Sequence, residues 1–130
     1  MAEPKAKVLE FTARVDRDDR IEAHGESLAT PERWKPEDLV LAAIVRCSLT
    51  SLRYHARHLA IEVAGSGEAS GTVTKREEDG RYAFVDVECR LDVELTPPPH
   101  DLPALLGKAE RDCFVGASLT VAPRYVWNVA

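Results

Sequence analysis

Three cysteines, at positions 47, 89 and 113, are the side chains best suited to covalent chemistry. They are odd in number, widely spaced and contain no Cys-x-x-Cys pair, so they match neither a secreted disulfide framework nor a zinc ribbon. In a reducing compartment, a cysteine pair that forms a disulfide is more often transient and catalytic than structural. The thiolate is the nucleophile, so what matters for each cysteine is the element that carries it and the charge beside it. Cys89 is in phase with five aliphatic residues of an alternating segment and reads as a small core residue. Cys47, at about 100° per helical residue, shares a stripe with Val40, Ala43, Ser51 and Tyr54, which by itself fits another buried cysteine. Cys113 follows Glu110, Arg111 and Asp112 near the end of a helical segment, where a semi-exposed thiol is expected. Spacing alone does not pair Cys47 with Cys113.

The elements that must position these thiols follow from the hydrophobic pattern. Residues 5–16 alternate, with Val8, Phe11, Ala13 and Val15 among charged neighbours. The polar run Arg17-Asp18-Asp19-Arg20 predicts a turn, and residues 21–28 a short return strand. Residues 30–35 read as loop, with Pro31 and Trp34. Pro36 suits the first position of a helix, and Glu37 and Asp38 complement the helix dipole in its first turn. Residues 39–57 contain no Gly or Pro and form the strongest predicted helix. Its first half is apolar nearly all round, as expected for a buried helix, and Arg53, His55, Arg57 and His58 suit its C-terminal end.

Gly65-Ser66-Gly67 interrupts a possible strand, which continues over residues 71–77, and Asp79-Gly80 is a hairpin turn. Residues 85–95 alternate strictly: Val85, Val87, Cys89, Leu91, Val93 and Leu95 on one face, with Asp86, Glu88, Arg90, Asp92 and Glu94 on the other. That is a strand with one wet face. After Pro97-Pro98-Pro99, Asp101 and Pro103 open a helix running to about Phe114, with Gly116 as its stop. Residues 118–129 form a last strand. The order β-β-α-β-β-α-β, without repeat or linker, predicts one α+β domain over residues 1–130, with mostly antiparallel sheet.

Composition excludes several classes. The chain has 130 residues, 45% of them apolar, enough for a core. Its net charge of −5, with acids and bases mixed, argues against a nucleic-acid partner, which needs a basic stripe. No apolar run approaches the roughly 20 residues of a membrane span, and Met-Ala-Glu-Pro-Lys lacks the pattern of a secretory signal. The expectation is a soluble, cytoplasmic protein. His55 and His58 are three apart, but no carboxylate or thiol lies beside them and Arg53 and Arg57 repel a cation, so a basic helix end is expected rather than a metal site. His24 and His100 fall in turn regions. No Ser-His-acid arrangement or phosphate loop is present.

Two segments carry a resemblance. The stretch Lys35-Pro36-Glu37-Asp38-Leu39-Val40-Leu41-Ala42-Ala43-Ile44-Val45-Arg46-Cys47 resembles the OsmC/Ohr signature, in which Pro-Glu-x-Leu opens an apolar helix bearing the reactive cysteine. The stretch Ala109-Glu110-Arg111-Asp112-Cys113-Phe114-Val115-Gly116-Ala117-Ser118-Leu119 is similar to the family's second motif, although Phe114 stands where the family usually has proline. The order of elements also fits. The resemblance implies an OsmC-like fold with a central buried helix, an intertwined homodimer, and a peroxidase of the organic hydroperoxide type. It makes Cys47 the peroxidatic thiol, Cys113 the resolving thiol and Glu37 the active-site glutamate, which holds an arginine beside the thiolate. That arginine is Arg33 if placed as in OsmC-type members, or Arg17 or Arg20 if placed as in Ohr-type members. It implies a dithiol reductant, of lipoyl type or small, and needs no metal or organic cofactor.

The electrostatics ask for such a cation. A thiol ionises near pH ~8.5, and an apolar helix pushes that higher. Cys47 is too far from the helix N-terminus for the dipole to help much. Glu37 and Cys47 are ten residues apart, about 15 Å along a straight helix, so either the helix breaks or Glu37 serves the cysteine of a second subunit. The competing expectation is an OsmC-like fold that binds an apolar ligand or partner, with vestigial thiols. Trp34, Tyr54 and Phe114 are the aromatics available to line an apolar pocket.

Overall fold

The computed structural model describes residues 6–130; residues 1–5, which include the N-terminal pattern read above, lie outside the described residues. The chain divides into two compact units, one ending at Lys35 and one spanning Pro36–Ala130.

The first unit carries an antiparallel meander of β1 (Arg14–Val15), β2 (Ile21–Ala23) and β3 (Glu26–Leu28). The predicted 17–20 turn is present, closed by the Asp16 carboxylate, which accepts the N–H groups of Asp18 at 2.8 Å and Arg20 at 3.0 Å. Arg14 and Glu22 pair across β1 and β2. Among the described residues of the first alternating segment, only Arg14–Val15 is strand. The single return strand expected over 21–28 is instead two. His24 (φ 55°) and Gly25 (φ 74°) fold it into a two-residue hairpin, the backbone of a type I′ turn.

In the second unit, α1 (Pro36–Arg57) starts at its proline and runs unbroken, with Glu37 and Asp38 in the first turn and His55 and Arg57 in the last. Its buried residues are Ile44, Ser48, Leu49, Ser51, Leu52 and Ala56. The expectation that its first half is buried all round is corrected: residues 39–43 are at most partly covered. The apolar run is longer than the surface that one chain offers it.

β4 (Glu62–Lys75) and β5 (Tyr82–Thr96) form a long antiparallel hairpin. It turns at Asp79-Gly80 as predicted, with Gly80 at φ 69° and the Asp79 carboxylate accepting the Arg81 N–H at 3.0 Å. β4 does not break at Gly65-Ser66-Gly67. A Cβ on Gly67 would lie 2.7 Å from the Arg90 carbonyl oxygen and 2.9 Å from Val45 Cγ1. One on Gly65 would lie 2.9 Å from Val93 Cγ1 and 3.0 Å from Leu49 Cδ2. These glycines let α1 lie close against the strand rather than interrupting it.

On β5, Val87, Cys89, Leu91, Val93 and Leu95 are buried, as the alternation predicts, and Cys89 is the core residue expected. Val85 is not: the register slips opposite it, between Thr72 and Val73, leaving it 38% exposed. A bulge costs the strand one residue of phase.

β6 (Arg124–Val129) joins β5 in parallel, giving the order β4-β5-β6. A parallel neighbour requires a crossover, here α2 (Leu102–Arg111) and α3 (Phe114–Ser118). β6 also answers the acidic face of β5: Arg124 bonds Asp86 and Glu88, and Asn128 bonds Asp92. α2 is capped as predicted, the Asp101 carboxylate accepting the Ala104 N–H at 3.1 Å. Its end is corrected. The helix stops at Arg111, Cys113 is extended (φ −78°, ψ 102°), and Gly116 lies buried within α3 rather than closing α2. A Cβ there would meet the Tyr125 hydroxyl at 2.5 Å, so this glycine makes room instead of ending a helix.

The α+β class therefore holds, with two three-stranded sheets and one parallel strand pair. The N-terminal hairpin and the split second helix lengthen the predicted order to β-β-β-α-β-β-α-α-β. Among the described residues, no helix is long and apolar enough to cross a membrane.

Candidate thiol site

Cys47, midway along α1, and Cys113, at the junction of α2 and α3, lie near enough for one thiol to influence the other. Both are free. Cys47 is partly exposed, whereas Cys113 is fully buried, not semi-exposed as its acidic and basic neighbours predict. Burial pushes the Cys47 thiol up, and the neighbouring Cys113 thiol adds to this; the backbone N–H groups of Val115 and Phe114 act in the opposite sense. Those N–H groups are free to face a sulfur because the first turn of a helix has no acceptors of its own for them.

Cross-links between elements explain why Cys113 points inward. Ser51 donates to the Ala109 carbonyl at 2.8 Å, tying α1 to α2. The Trp127 indole N–H donates to Glu110 at 3.0 Å, tying β6 to α2. His55 Nε2 meets the Asp112 carboxylate at 2.7 Å, and Arg111 holds the same carboxylate at 2.9 and 3.0 Å. The Arg111 guanidinium, with His55 behind it, draws the Asp112 carboxyl down to about 2. The sequence places no acid beside His55; the fold brings one from the far end of α2. His58 Nδ1 donates to the Tyr54 carbonyl at 2.9 Å.

Two further side chains converge on Cys113, Ser48 and Tyr125, and neither stands out in the sequence. The Ser48 hydroxyl donates to the Ile44 carbonyl at 2.7 Å and lies 3.5 Å from Cys113 Sγ and 3.9 Å from Cys89 Sγ. Its one proton is committed along the helix, so toward the thiols its oxygen is an acceptor. Tyr125 is in register with Cys89 on the neighbouring strand, and its hydroxyl contacts Cys113 and Ser48. Burial, then the contact with Cys113, raises the Tyr125 hydroxyl well above its ordinary value. The only sequence signal was the apolar phase of the strands.

Glu37 is not brought to Cys47. It is exposed in the first turn of α1, and the unbroken helix carries it about 15 Å away along the axis. Arg33 is exposed in a turn closed by the Trp34 N–H on the Pro31 carbonyl at 2.9 Å. It belongs to the unit ending at Lys35, as do Arg17 and Arg20 of the β1–β2 turn. Among the described residues, the groups with the largest influence on Cys47 include no cation. Among the aromatics, Tyr54 lines a cavity of about 650 Å³ with His58, Leu59, Pro98 and His100 at the far end of α1, and Phe114 is not in its wall. Tyr54 and Phe114 thus do not share that pocket. Among the described residues, no group of three His, Cys, Asp or Glu is gathered as for a metal ion.

A helix-borne thiol facing a second thiol across an α+β core is the arrangement the two sequence motifs imply. The chain belongs to the OsmC-like protein family, whose model matches residues 29–127. Solved structures share the fold. An OsmC-like protein of unknown function from Vibrio cholerae is 16% identical, with a TM-score of 0.69 over 95% of this chain and 100% of that one. The organic hydroperoxide resistance protein OhrB of Bacillus subtilis is 19% identical, with a TM-score of 0.56 over 93% and 96%. An organic hydroperoxide resistance protein OsmC from Legionella pneumophila is 20% identical, with a TM-score of 0.59 over 97% and 99%. No curated protein matched the sequence.

Proposed function

We propose that the chain is a thiol-dependent peroxidase acting on organic hydroperoxides or hydrogen peroxide. The observation that carries this is the pairing of a partly exposed thiol, Cys47, with a sealed one, Cys113, near enough within one chain to shift its ionisation. The Cys47 thiolate attacks the peroxide, the O–O bond breaks, and the leaving oxygen takes a proton to depart as alcohol or water. Cys47 is left as a sulfenic acid. Cys113 attacks that sulfur, its proton leaves with the hydroxide as water, and a Cys47–Cys113 disulfide remains. A dithiol reductant reopens it; the family resemblance implies a lipoyl-type or small dithiol. The names of the Bacillus and Legionella structures support the choice of substrate.

The N–H groups of Phe114 and Val115 favour the thiolate but do not offset burial. A guanidinium is still required. The resemblance assigns that role to Arg33, or to Arg17 or Arg20, held by Glu37. With α1 unbroken, Glu37 reaches a Cys47 only in a second copy of the chain. The site is therefore proposed as composite, in a homodimer. The partly covered apolar start of α1 and the exposed Val73, Tyr82 and Val85 of the hairpin supply surface for that copy.

The upward push on Cys47 favours a second reading, an apolar-ligand binder with idle thiols. One experiment separates the two. Reduced protein is treated with stoichiometric cumene hydroperoxide and its disulfides are mapped by mass spectrometry. A Cys47–Cys113 bridge within seconds, absent from Cys47→Ser, is the expected result. Intact thiols under excess oxidant would leave the binder.

A further inference from the structure

Cys89 is a buried nucleophile that the two-cysteine cycle does not use. It is 0% exposed on β5, where it reads as core. Its surroundings are not those of an inert core residue, however. One hydroxyl, that of Ser48, lies within hydrogen-bonding reach of both Cys89 and Cys113. The Tyr125 hydroxyl, in register beside Cys89, touches Cys113 as well. Cys113 links the group, influencing the Cys47 thiol and sharing Ser48 with Cys89.

We propose that Cys89 is a third redox residue, which takes Cys113 from the Cys47–Cys113 disulfide to form a buried Cys89–Cys113 disulfide and frees Cys47 for a second peroxide. This rests on the peroxidase reading. The step is a thiol–disulfide exchange. The Cys89 sulfur attacks the Cys113 sulfur, the new S–S bond forms from the Cys89 electron pair, and the pair of the broken bond leaves on Cys47. Cys89 loses a proton and Cys47 gains one, so no further oxidant or reductant enters. The proton that Cys89 gives up goes to the departing Cys47 thiolate, and the Ser48 oxygen, an acceptor toward both thiols, holds Cys89 and Cys113 side by side while this happens. Cys113 is suited to change partners because it sits at an extended junction between two helices rather than inside either. Cys47, partly exposed, is the sulfur that most benefits from release, since it alone of the three meets substrate from solvent.

The consequence is a stoichiometry. A two-cysteine cycle without reductant consumes one peroxide per chain and stops with Cys47 blocked. With the exchange, a chain consumes two, ending with Cys89–Cys113 bridged and Cys47 as sulfenic acid. The test uses the wild-type protein, fully reduced, with two equivalents of cumene hydroperoxide per chain and no reductant, so that little oxidant is left to carry a sulfenic acid further. Peroxide loss is measured per chain, disulfides are mapped over time, and sulfenic acid is trapped with dimedone. The expected result is a Cys47–Cys113 peptide pair that gives way to Cys89–Cys113, two equivalents consumed, and dimedone on Cys47. Cys89→Ala should stop at one equivalent, and Cys47→Ser should form no Cys89–Cys113 bridge. A Cys47–Cys113 bridge that persists, with one equivalent consumed by the wild type, overturns the exchange and leaves the peroxidase standing. If no bridge of either kind forms, the peroxidase reading falls and the exchange with it.

Discussion

A thiol that attacks an O–O bond must first ionise, and burial of Cys47 opposes this while two backbone N–H groups favour it. One of those groups belongs to Phe114, the first residue of α3. Proline is compatible with that position, because it fits the first turn of a helix and Cys113 before it already has the extended backbone a following proline demands. Phe114→Pro should therefore fold with little loss of stability while removing one donor to the sulfur. Alkylation of Cys47 by iodoacetamide at pH 8 should slow about fivefold, as for loss of a hydrogen bond of roughly 1 kcal/mol. An unchanged rate would show that Val115 alone faces the thiolate. Residue identity made Cys47 and Cys113 visible as candidates in the sequence, but their pairing came only from the motifs around them. Ser48, Cys89 and Cys113 meet across 41 and 65 positions of chain, and no local pattern encodes such a meeting.

Elements were legible wherever one period ran long enough. The 3.6-residue run of α1 and the strict alternation of β5 lie where the sequence places them. What escaped were events a single residue decides: the positive φ of His24, the bulge at Val85, and the break at Asp112–Cys113. The parallel arrival of β6 also escaped, because strand direction is set by the crossover and not by the strand. The glycines of β4 misled for a physical reason, since they serve close packing rather than a turn. Gly67→Ala should cost about 1–3 kcal/mol, read from urea unfolding, because the Arg90 carbonyl 2.7 Å from the new methyl is backbone and cannot move aside. The Asp112 carboxylate, held first by Arg111 and then by His55 of α1, carries a pH dependence of definite sign. Its carboxyl drops from 3.8 to about 2 on folding, so the folded chain holds fewer protons than the unfolded one between those values. That stabilisation is fully present above pH 3.8 and is lost as pH falls toward 2. The carboxylate is more than a third exposed and partly screened, so the effect is modest. The thermal midpoint of the wild type should fall more steeply over that window than that of Asp112→Asn; parallel curves would show that the Asp112 carboxylate contributes nothing.

At the scale of the molecule, the uninterrupted α1 decides where catalytic parts can come from. Glu37 and Cys47 are on one rigid rod about 15 Å apart, so a site using both draws them from two chains. Mixed dimers provide the test. Cys47→Ser retains Glu37 and its arginine but has no nucleophile, and Glu37→Ala retains the nucleophile but cannot hold the cation. Each pure variant should have little peroxidase activity. When the two are unfolded together and refolded in equal amounts, about half the dimers are mixed, as expected for random C2 pairing. In each mixed dimer, one site combines the intact Cys47 of one chain with the intact Glu37 of the other, while the second site has both defects. Activity should therefore recover to about one quarter of the wild-type value, half the dimers each having one of two sites. If Glu37 served the cysteine of its own chain, no site in any dimer would be whole and mixing would restore nothing. A chain that stayed monomeric in light scattering while reducing peroxide would likewise exclude the composite site, leaving Glu37 as a helix-start charge and the cation to come from the same chain as the thiol.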